Sequence, residues 1–312
     1  MKKLLLAAAA VMALSAPALS TQAYAAKVGV SMANSDTFLT VLRNGIEAYG
    51  KEKGATLSIE VADDDVGKQL SQIQNFIANK VDAIIVNAVD TSATPKMTAL
   101  AATAGIPLVY VNRQPTDVDA LGDKAAFVAS NEKDSGTLET KEICKLIGGK
   151  GDILVMEGDL ANQAAVQRTK DIHEVIATPE CAGIKILDEQ TAGWDVVKAQ
   201  DLMTNWIAAG RKPKAVIANN DNMAIGAIQA IKAAGLSTKD IVVGGIDATQ
   251  EALAVMKAGD LQVTVFQNAA GQGKGALDAA LTLASGGKVD KKVYIPFELV
   301  TPANMANYMK KN

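Results

Sequence analysis

Short, uniformly apolar segments alternate with longer segments of helical period along almost the whole chain. Ten of them predict β-strands: KVGVSM, TLSIEVA, DAIIVNA, PLVYVN, AFVAS, DILVMEG, IKILDEQ, KAVIANN, IVVGGID and QVTVFQN. Most are too apolar for a sheet with one face in water, so they need helices on both faces of a parallel sheet. The intervening segments supply such helices, and the sequence therefore predicts a doubly wound α/β fold.

The first 25 residues do not belong to this alternation. Lys2 and Lys3 precede an apolar stretch over residues 4–14, and small residues follow at Ala23 and Ala25. This pattern is typical of a secretory signal peptide. The apolar stretch is also too short to cross a bilayer, which needs about 20 residues. We expect cleavage after Ala25 and a periplasmic mature protein.

The remaining residues, 26–312, are enough for two domains with separate cores. Two of the 31 basic residues lie in the leader. The mature chain therefore has 29 basic and 34 acidic residues, and its net charge is about −5. This acidic balance argues against nucleic acid or an anionic membrane as a partner.

Cysteine and histidine are scarce in this chain. Cys144 and Cys181 are its two cysteines, and an oxidising compartment would permit one disulfide between them; two separate buried thiols are the alternative. His173 lies in a helical segment without a suitably spaced partner, so we interpret it as a surface residue and expect no metal site. The first βα turn, SMANSDTF, has no glycine to bring a phosphate close to the backbone, and no cofactor is expected.

Polar side chains collect directly after the predicted strands. In open parallel sheets a ligand binds beyond the carboxyl ends of the strands, where the loops diverge. The residues at these ends include Asp36, Asn112, Arg113, Asn162, Asn219, Asn220, Asp221, Asp247 and Gln267. A competing interpretation makes Asp36, Asn162 and Asp221 helix N-caps, and it covers Asp221 best. It does not explain Arg113, because the buried charge of that residue needs a carboxylate, a hydroxyl-rich ligand or water as a partner. Asp247 is expected to pair with Arg113 or to bind the ligand beside it.

Two aromatic residues stand out in a chain with 4% aromatic residues. Phe38 begins one predicted helix and Trp194 opens another, so both are expected at the crevice, with ordinary packing as the alternative. Flat rings beside hydrogen-bonding groups suit a sugar or a cyclitol. Catalysis has little support: there is no GxSxG elbow, and nothing distinguishes Asp36 and Asp247 from simple hydroxyl acceptors. We therefore expect a binding protein rather than an enzyme.

Several motifs, in order, resemble those of one family: VNRQP, QAAVQRTKDI, IANNDNMAIGAIQAI, VVGGIDAT and VFQNAAGQG. From residue 26 to 312 the chain resembles the periplasmic sugar-binding proteins of the ribose-binding type, which are type I periplasmic binding proteins of ABC transporters. The resemblance implies two lobes, 26–130 plus 268–294 and 131–267 plus 295–312. Three chain crossings would join these lobes, which would close by hinge bending on a monosaccharide and present it to a membrane permease. Both cysteines would lie in one lobe, where a bond leaves the hinge free.

Matched position by position, the resemblance implies a set of ligand-binding residues that agrees with most of the strand-end residues. The combined set is Asp36, Phe38, Asn112, Arg113, Arg168, Trp194, Asn220, Asp247 and Gln267. Three positions depart from the family pattern: Asn112 replaces a carboxylate, while Ile246 and Leu39 each replace an aromatic ring. The VYVNRQP form looks most like the inositol-binding and rhizopine-binding branch. The expected ligand is therefore a cyclitol, with myo-inositol first, and the alternatives are rhizopine or an aldose such as ribose or a hexose.

The main rival from another class is the effector domain of a sugar-responsive transcription regulator, which has the same fold. That class requires a basic helix-turn-helix before the first strand, where this chain has an export leader. A chemoreceptor is a further partner compatible with transport, and we expect a monomer.

Overall fold

A computed structural model describes residues 25–311, so the predicted leader, apart from Ala25, lies outside the described residues. Within residues 25–311 the strands are β1 (Lys27–Met32), β2 (Thr56–Val61), β3 (Ala83–Val86), β4 (Leu108–Val111), β5 (Ala125–Ala129), β6 (Lys150–Glu157), β7 (Gly183–Thr191), β8 (Ala215–Ala218), β9 (Val242–Gly244), β10 (Thr264–Gln267), β11 (Lys292–Tyr294) and β12 (Phe297–Val300). The α-helices are α1 (Thr37–Lys53), α2 (Val66–Ala78), α3 (Thr94–Ala104), α4 (Glu132–Leu146), α5 (Gln163–Ile176), α6 (Val196–Ala208), α7 (Asp221–Ala233), α8 (Gln250–Ala258) and α9 (Ala269–Ala284).

Two parallel sheets organise these elements into two lobes. The first has six strands in the order β11-β5-β4-β3-β1-β2, and the second has four in the order β7-β6-β8-β9. All pairings within both sheets are parallel, which confirms the predicted α/β class. The strands β10 and β12 form a separate antiparallel pair that the sequence did not predict, because FELV is short and directly follows a proline.

The chain passes between the two sheets three times. It leaves the six-stranded sheet after β5 and enters the four-stranded sheet at β6. It returns after β10 through α9, which packs on β3, β4 and β5, and it leaves again between β11 and β12. Three neighbouring connections between the lobes are the arrangement expected of a hinge.

Each lobe has its own apolar core. In α1, the residues Leu39, Leu42, Ile46 and Tyr49 recur at helical spacing and are buried against the six-stranded sheet. The helices α1 and α9 approach closely because Gly273 lies at their contact: an added Cβ there would come 2.7 Å from the carbonyl oxygen of Leu42. The four-stranded sheet is covered on one face by α6 and α7 and on the other by α4 and α5.

A disulfide joins Cys144 in α4 to Cys181 in the segment that precedes β7, so the alternative of two separate thiols is wrong. His173 is exposed as predicted, and its Nε2 lies 2.8 Å from a carboxylate oxygen of Glu189. Across residues 25–311, no group of three or more potential ligand side chains is placed to hold a metal ion. In the same range, no helix has both the length and the apolar character needed to span a bilayer.

Candidate ligand-binding site

The carboxyl ends of the two parallel sheets face one cavity, whose empty space of about 400 Å³ includes a part open to solvent. The residues that line it are Asp36, Phe38, Leu39, Asn112, Arg113, Asn162, Ala164, Arg168, Trp194, Asn220, Asp247 and Gln267. All nine residues predicted from the sequence are in this set, although they are spread over more than 230 positions of the chain. The structure thus brings them together, and their role in binding a ligand stays a prediction.

Asn112 follows β4 directly and has a left-handed backbone with φ of 68°, a conformation that asparagine tolerates better than most residues. Its Nδ2 donates to Oε1 of Gln272 at 3.2 Å, and its Oδ1 accepts from Nδ2 of Asn87 at 3.4 Å. These two neighbours orient the amide before any ligand arrives.

Arg113 is buried beside Asn112, with 6% of its surface exposed. Its Nη1 donates to the carbonyl oxygens of Ala88, at 2.8 Å, and Val89, at 3.4 Å. Burial lowers the pKa of Arg113, and the charges of Asp36, Asp64 and Asp159 oppose this effect. Asp36 is thus the carboxylate that acts most strongly on Arg113.

Asp36 and Phe38 form the part of the wall supplied by the first βα turn. The Oδ1 of Asp36 accepts from the backbone N–H of Leu39 at 2.7 Å, so this residue caps α1 as predicted and also faces the cavity. Burial raises the pKa of Asp36, although the Leu39 N–H and the charge of Arg113 act in the opposite direction. Phe38 is buried with its ring at the cavity.

Arg168, in α5, is held by a carboxylate that the sequence analysis did not identify. Its Nε donates to Oε2 of Glu132 at 2.7 Å, and its Nη2 donates to Oε1 of the same residue at 3.0 Å. Further bonds reach the carbonyl oxygen of Asn219 at 2.6 Å and Oε1 of Gln267 at 3.3 Å. Burial is the largest single effect and lowers the pKa of Arg168, but the charge and hydrogen bonds of Glu132, together with the charges of Asp247 and Glu139, raise it overall. Most of its donors are thus committed within the protein.

Asp247 lines the cavity with 4% of its surface exposed and φ of 127°, which is strained for a residue with a side chain. Burial raises its pKa well above the usual value for aspartate, and the charge of Arg168 offsets only part of this effect. A buried carboxyl of this kind gains from any ligand hydroxyl that donates to it.

Asn220, and not Asp221, is the N-cap of α7. The Oδ1 of Asn220 accepts from the N–H of Met223 at 3.0 Å, and the residue also lines the cavity. Asp221 is the first helical residue and does not cap the helix. It accepts from the hydroxyl of Thr264 at 2.7 Å and the N–H of Thr249 at 2.8 Å, and burial raises its pKa to about 7.

Trp194 lies in the turn before α6, with φ of 68°, rather than at the start of the helix, which Asp195 caps. Its ring packs against Gly158, where a Cβ atom would overlap the indole. The ring centroid lies 5.6 Å from the guanidinium carbon of Arg168. Its Nε1 is buried and has no hydrogen-bond partner among the described residues, so it can donate to a ligand.

Asn162 lines the cavity, although the sequence analysis noted it only as a strand-end residue or a helix N-cap and did not include it in the ligand-binding set. It occupies the N-cap position of α5 but makes no capping hydrogen bond with its side chain. It is 1% exposed, and neither Oδ1 nor Nδ2 has a partner within residues 25–311. A buried amide without partners is costly unless a ligand or water completes its bonds. Its position after β6 was the available signal.

The lining residues that the structure describes include carboxylates, amides, guanidinium groups and two aromatic rings, but no serine, cysteine, histidine, lysine or tyrosine. This set can hold a hydroxyl-rich molecule from its edges and its faces, and it offers no nucleophile with an adjacent base. Two parallel α/β lobes around such a cavity define a two-lobed binding protein. Residues 28–288 match the family described as periplasmic binding protein domain, and the chain belongs to this family.

Three relatives illustrate the similarity. "Putative rhizopine-binding protein" of Rhizobium meliloti is 60% identical over 100% of both chains. An ABC transporter solute binding protein of Bacillus halodurans C-125, solved with bound myo-inositol, is 39% identical and has a TM-score of 0.87, covering 92% of this chain and 98% of that one. A periplasmic solute binding protein of Actinobacillus succinogenes 130z, solved with bound D-allose, is 30% identical with a TM-score of 0.85, covering 91% and 100%.

Membership of this family confirms that the chain is a substrate-binding protein of the ABC transporter type and not an enzyme. It also implies export to the periplasm and work with the membrane components of a transporter.

Proposed function

We propose that this protein binds one cyclitol, with myo-inositol as the first candidate, and delivers it to an ABC permease. The observation that carries the proposal is the cavity itself. Two aromatic rings and a set of amide, carboxylate and guanidinium groups line it together. The 60% identity to a rhizopine-binding relative along the whole chain supports the same ligand class.

The chemistry of the cavity walls suits a neutral ring with a hydroxyl on most carbons. Phe38 and Trp194 offer apolar faces for C–H groups. Asn162 offers an uncommitted donor and an uncommitted acceptor, and Trp194 adds a donor at its Nε1. Because each hydroxyl both donates and accepts, a cyclitol can satisfy these groups together with the carboxylate of Asp247.

An aldose or rhizopine is the second candidate. The D-allose complex of the Actinobacillus relative favours an aldose, since that chain has the same fold and 30% identity. Rhizopine is favoured by the name of the Rhizobium relative. Both share the hydroxyl-rich ring that the cavity suits.

The proposed mechanism is closure of the two lobes by hinge bending, with lobes of 26–130 plus 268–294 and 131–267 plus 295–312. A ligand that contacts both lobes favours the closed form because part of its binding energy exists only there. Hydrogen bonds to charged groups such as Arg113 are worth about 1.5–3 kcal/mol each. Several such bonds in a closed cavity are consistent with about micromolar affinity or better.

The cleavage site, the oligomeric state and a second partner of the mature protein also belong to the proposal. Cleavage after Ala25 is tested by the N-terminal mass of protein recovered from the periplasm. A monomer is expected in light scattering after size exclusion. A chemoreceptor is a second partner class, tested by chemotaxis toward the bound ligand in a strain that lacks this protein.

The direct test is a thermal-shift screen followed by calorimetry on residues 26–312. The ligands are myo-inositol, other inositols, rhizopine, ribose, D-allose and galactose. A ligand that binds only the folded state raises the Tm. Asp247→Ala should abolish the shift, while Asp123→Ala, at an exposed position outside the cavity, should preserve it. If no polyol raises the Tm of the wild-type protein, the proposal is wrong.

A further inference from the structure

Two loops from opposite lobes touch directly at the edge of the cavity. Thr91 begins a short 3-10 turn after β3, and Ala161 lies between β6 and α5. The backbone N–H of Thr91 donates to the carbonyl oxygen of Ala161 at 3.1 Å, and the Thr91 hydroxyl donates to the same oxygen at 3.0 Å. Because β3 and β6 belong to different sheets, these bonds join the lobes without any ligand atom.

Both loops are braced within their own lobe. On one side, Oδ1 of Asp90 accepts from the N–H of Ser92 at 2.7 Å. On the other, Oδ1 of Asp159 accepts from the N–H of Ala161 at 2.9 Å. The two loops therefore meet in shapes that each lobe sets by itself, which reduces the entropy lost when they join.

The same loops carry groups of the cavity wall. The carbonyl oxygens of Ala88 and Val89, just before Thr91, accept from the guanidinium of Arg113. Asn162, the buried amide without partners among the described residues, directly follows Ala161. The charge of Asp159 also acts on Arg113 from the other lobe. The two loops that touch thus support or carry groups that line the cavity, Arg113 in one lobe and Asn162 in the other.

We propose that Thr91 and Ala161 form an interlobe latch, which stabilises the closed form by the same amount for every ligand. The inference rests on the proposed function, because it presumes lobes that open and close. A latch that does not touch the ligand changes the fraction of closed protein, and the apparent Kd of each ligand changes by the same factor. The latch therefore sets affinity and leaves selectivity to the cavity.

The test compares Thr91→Val, which keeps the shape and removes the hydroxyl, with Thr91→Ser, which keeps the hydroxyl. Thr204→Val is the matched control, because the Thr204 hydroxyl donates within α6, to the carbonyl of Gln200. Calorimetry with two polyols gives the affinities, and small-angle X-ray scattering of the ligand-free proteins gives the degree of opening. Thr91→Val should weaken both affinities by the same factor, about three- to tenfold, as expected for one lost hydrogen bond.

In the expected result Thr91→Ser and Thr204→Val behave like the wild type, and ligand-free Thr91→Val is more open than the wild type. A change that differs between the two polyols would mean that Thr91 contacts the ligand, and it overturns the latch. Equal scattering and equal affinity for Thr91→Val and the wild type overturn it too. If no polyol binds the wild type, the proposed function fails, and the scattering of the ligand-free proteins decides on the latch alone.

Discussion

Glu132 and Arg168 form a bidentate ion pair beneath the cavity, with Nε to Oε2 at 2.7 Å and Nη2 to Oε1 at 3.0 Å. Both side chains are about 95% buried, so neither charge has water as an alternative partner. The pair fixes the plane of the guanidinium against the ring of Trp194. Glu132 therefore acts on the ligand site through the position of Arg168.

Glu132→Gln removes the negative charge and keeps the size of the side chain. We expect the free energy of unfolding to fall by about 1–3 kcal/mol, because a charge-assisted pair becomes a single neutral acceptor. Ligand affinity should fall about tenfold, since Arg168 then turns toward Asp247, the next carboxylate that acts on it. Urea denaturation and calorimetry measure the two effects. Asp134→Asn, in the exposed first turn of the same helix, is the control, and equal behaviour of both variants contradicts this role.

Gly158→Ala tests the support of the Trp194 ring. The new Cβ would overlap the indole, so the ring must move away from its place beside Arg168. We expect at least about a tenfold loss of affinity and a changed tryptophan fluorescence, with the fold retained because the turn can shift. Gly122→Ala is the matched control, because a Cβ there meets no described atom within 4 Å. Unchanged affinity in Gly158→Ala would show that the ring does not need this position.

The strand ends could be predicted from the sequence because one rule governs them. Buried parallel strands are continuous apolar runs, and the polar residues that follow them converge at one edge of each sheet. Asn112, Asp247 and Gln267 were found in this way, and the structure brings them to one cavity. The family resemblance added Arg168, which lies inside a helix where no strand end marks it.

Glu132 and Asn162 show what the sequence could not supply. Glu132 stands in SNEKDSG, a run that has the composition of an exposed helix start, and its partner is 36 residues away. The rule for strand ends, applied to β5, marks Glu132 as a polar residue at the edge of the sheet but does not identify Arg168 as its partner. Asn162 has the residue type and position of an N-cap, and only the three-dimensional path of the loop turns its amide away from the helix N–H groups.

Asp247→Asn should stabilise the ligand-free protein while it abolishes binding. Burial raises the pKa of Asp247 in the folded state, so the wild type is destabilised as the pH rises from the unfolded value, near 3.9, through the folded one. Removing this titration should raise the stability at pH 8 and flatten the dependence of stability on pH. Glu139→Gln is the comparison, because Glu139 is also buried with a raised pKa but does not line the cavity. It should add stability and preserve binding, and a less stable Asp247→Asn protein contradicts the prediction.

The disulfide should contribute to stability and not to ligand affinity. It closes a loop between residues 37 positions apart, for which the loss of chain entropy in the unfolded state predicts about 2–4 kcal/mol. The double variant Cys144→Ser with Cys181→Ser should lose this amount in urea denaturation. Its affinity should be unchanged, because neither residue lines the cavity. Wild-type protein treated with a reductant is the control and should match the variant. Weaker ligand binding in either sample would contradict the prediction that the disulfide contributes to stability and not to affinity.

Asn112→Asp tests whether the amide at this position selects the ligand. The backbone with φ of 68° accommodates aspartate nearly as well as asparagine, and Asn87 can still donate to the new carboxylate. Gln272 now accepts from Asn112 and donates to Ser130, and a rotation of its amide would let it donate to the new carboxylate instead. The fold is therefore expected to remain intact.

The same substitution removes one donor from the cavity and adds one negative charge beside Arg113. Ligands that present an acceptor to Asn112 should lose affinity, and ligands that present hydroxyl donors should gain it. We expect the ratio of the Kd values for myo-inositol and an aldose to change about tenfold, or about 1.4 kcal/mol, in calorimetry. Asn205→Asp, exposed on α6, controls for the added charge alone. A uniform loss for all ligands would mean that Asn112 supports binding in general, because selection between ligands requires that their affinities change unequally.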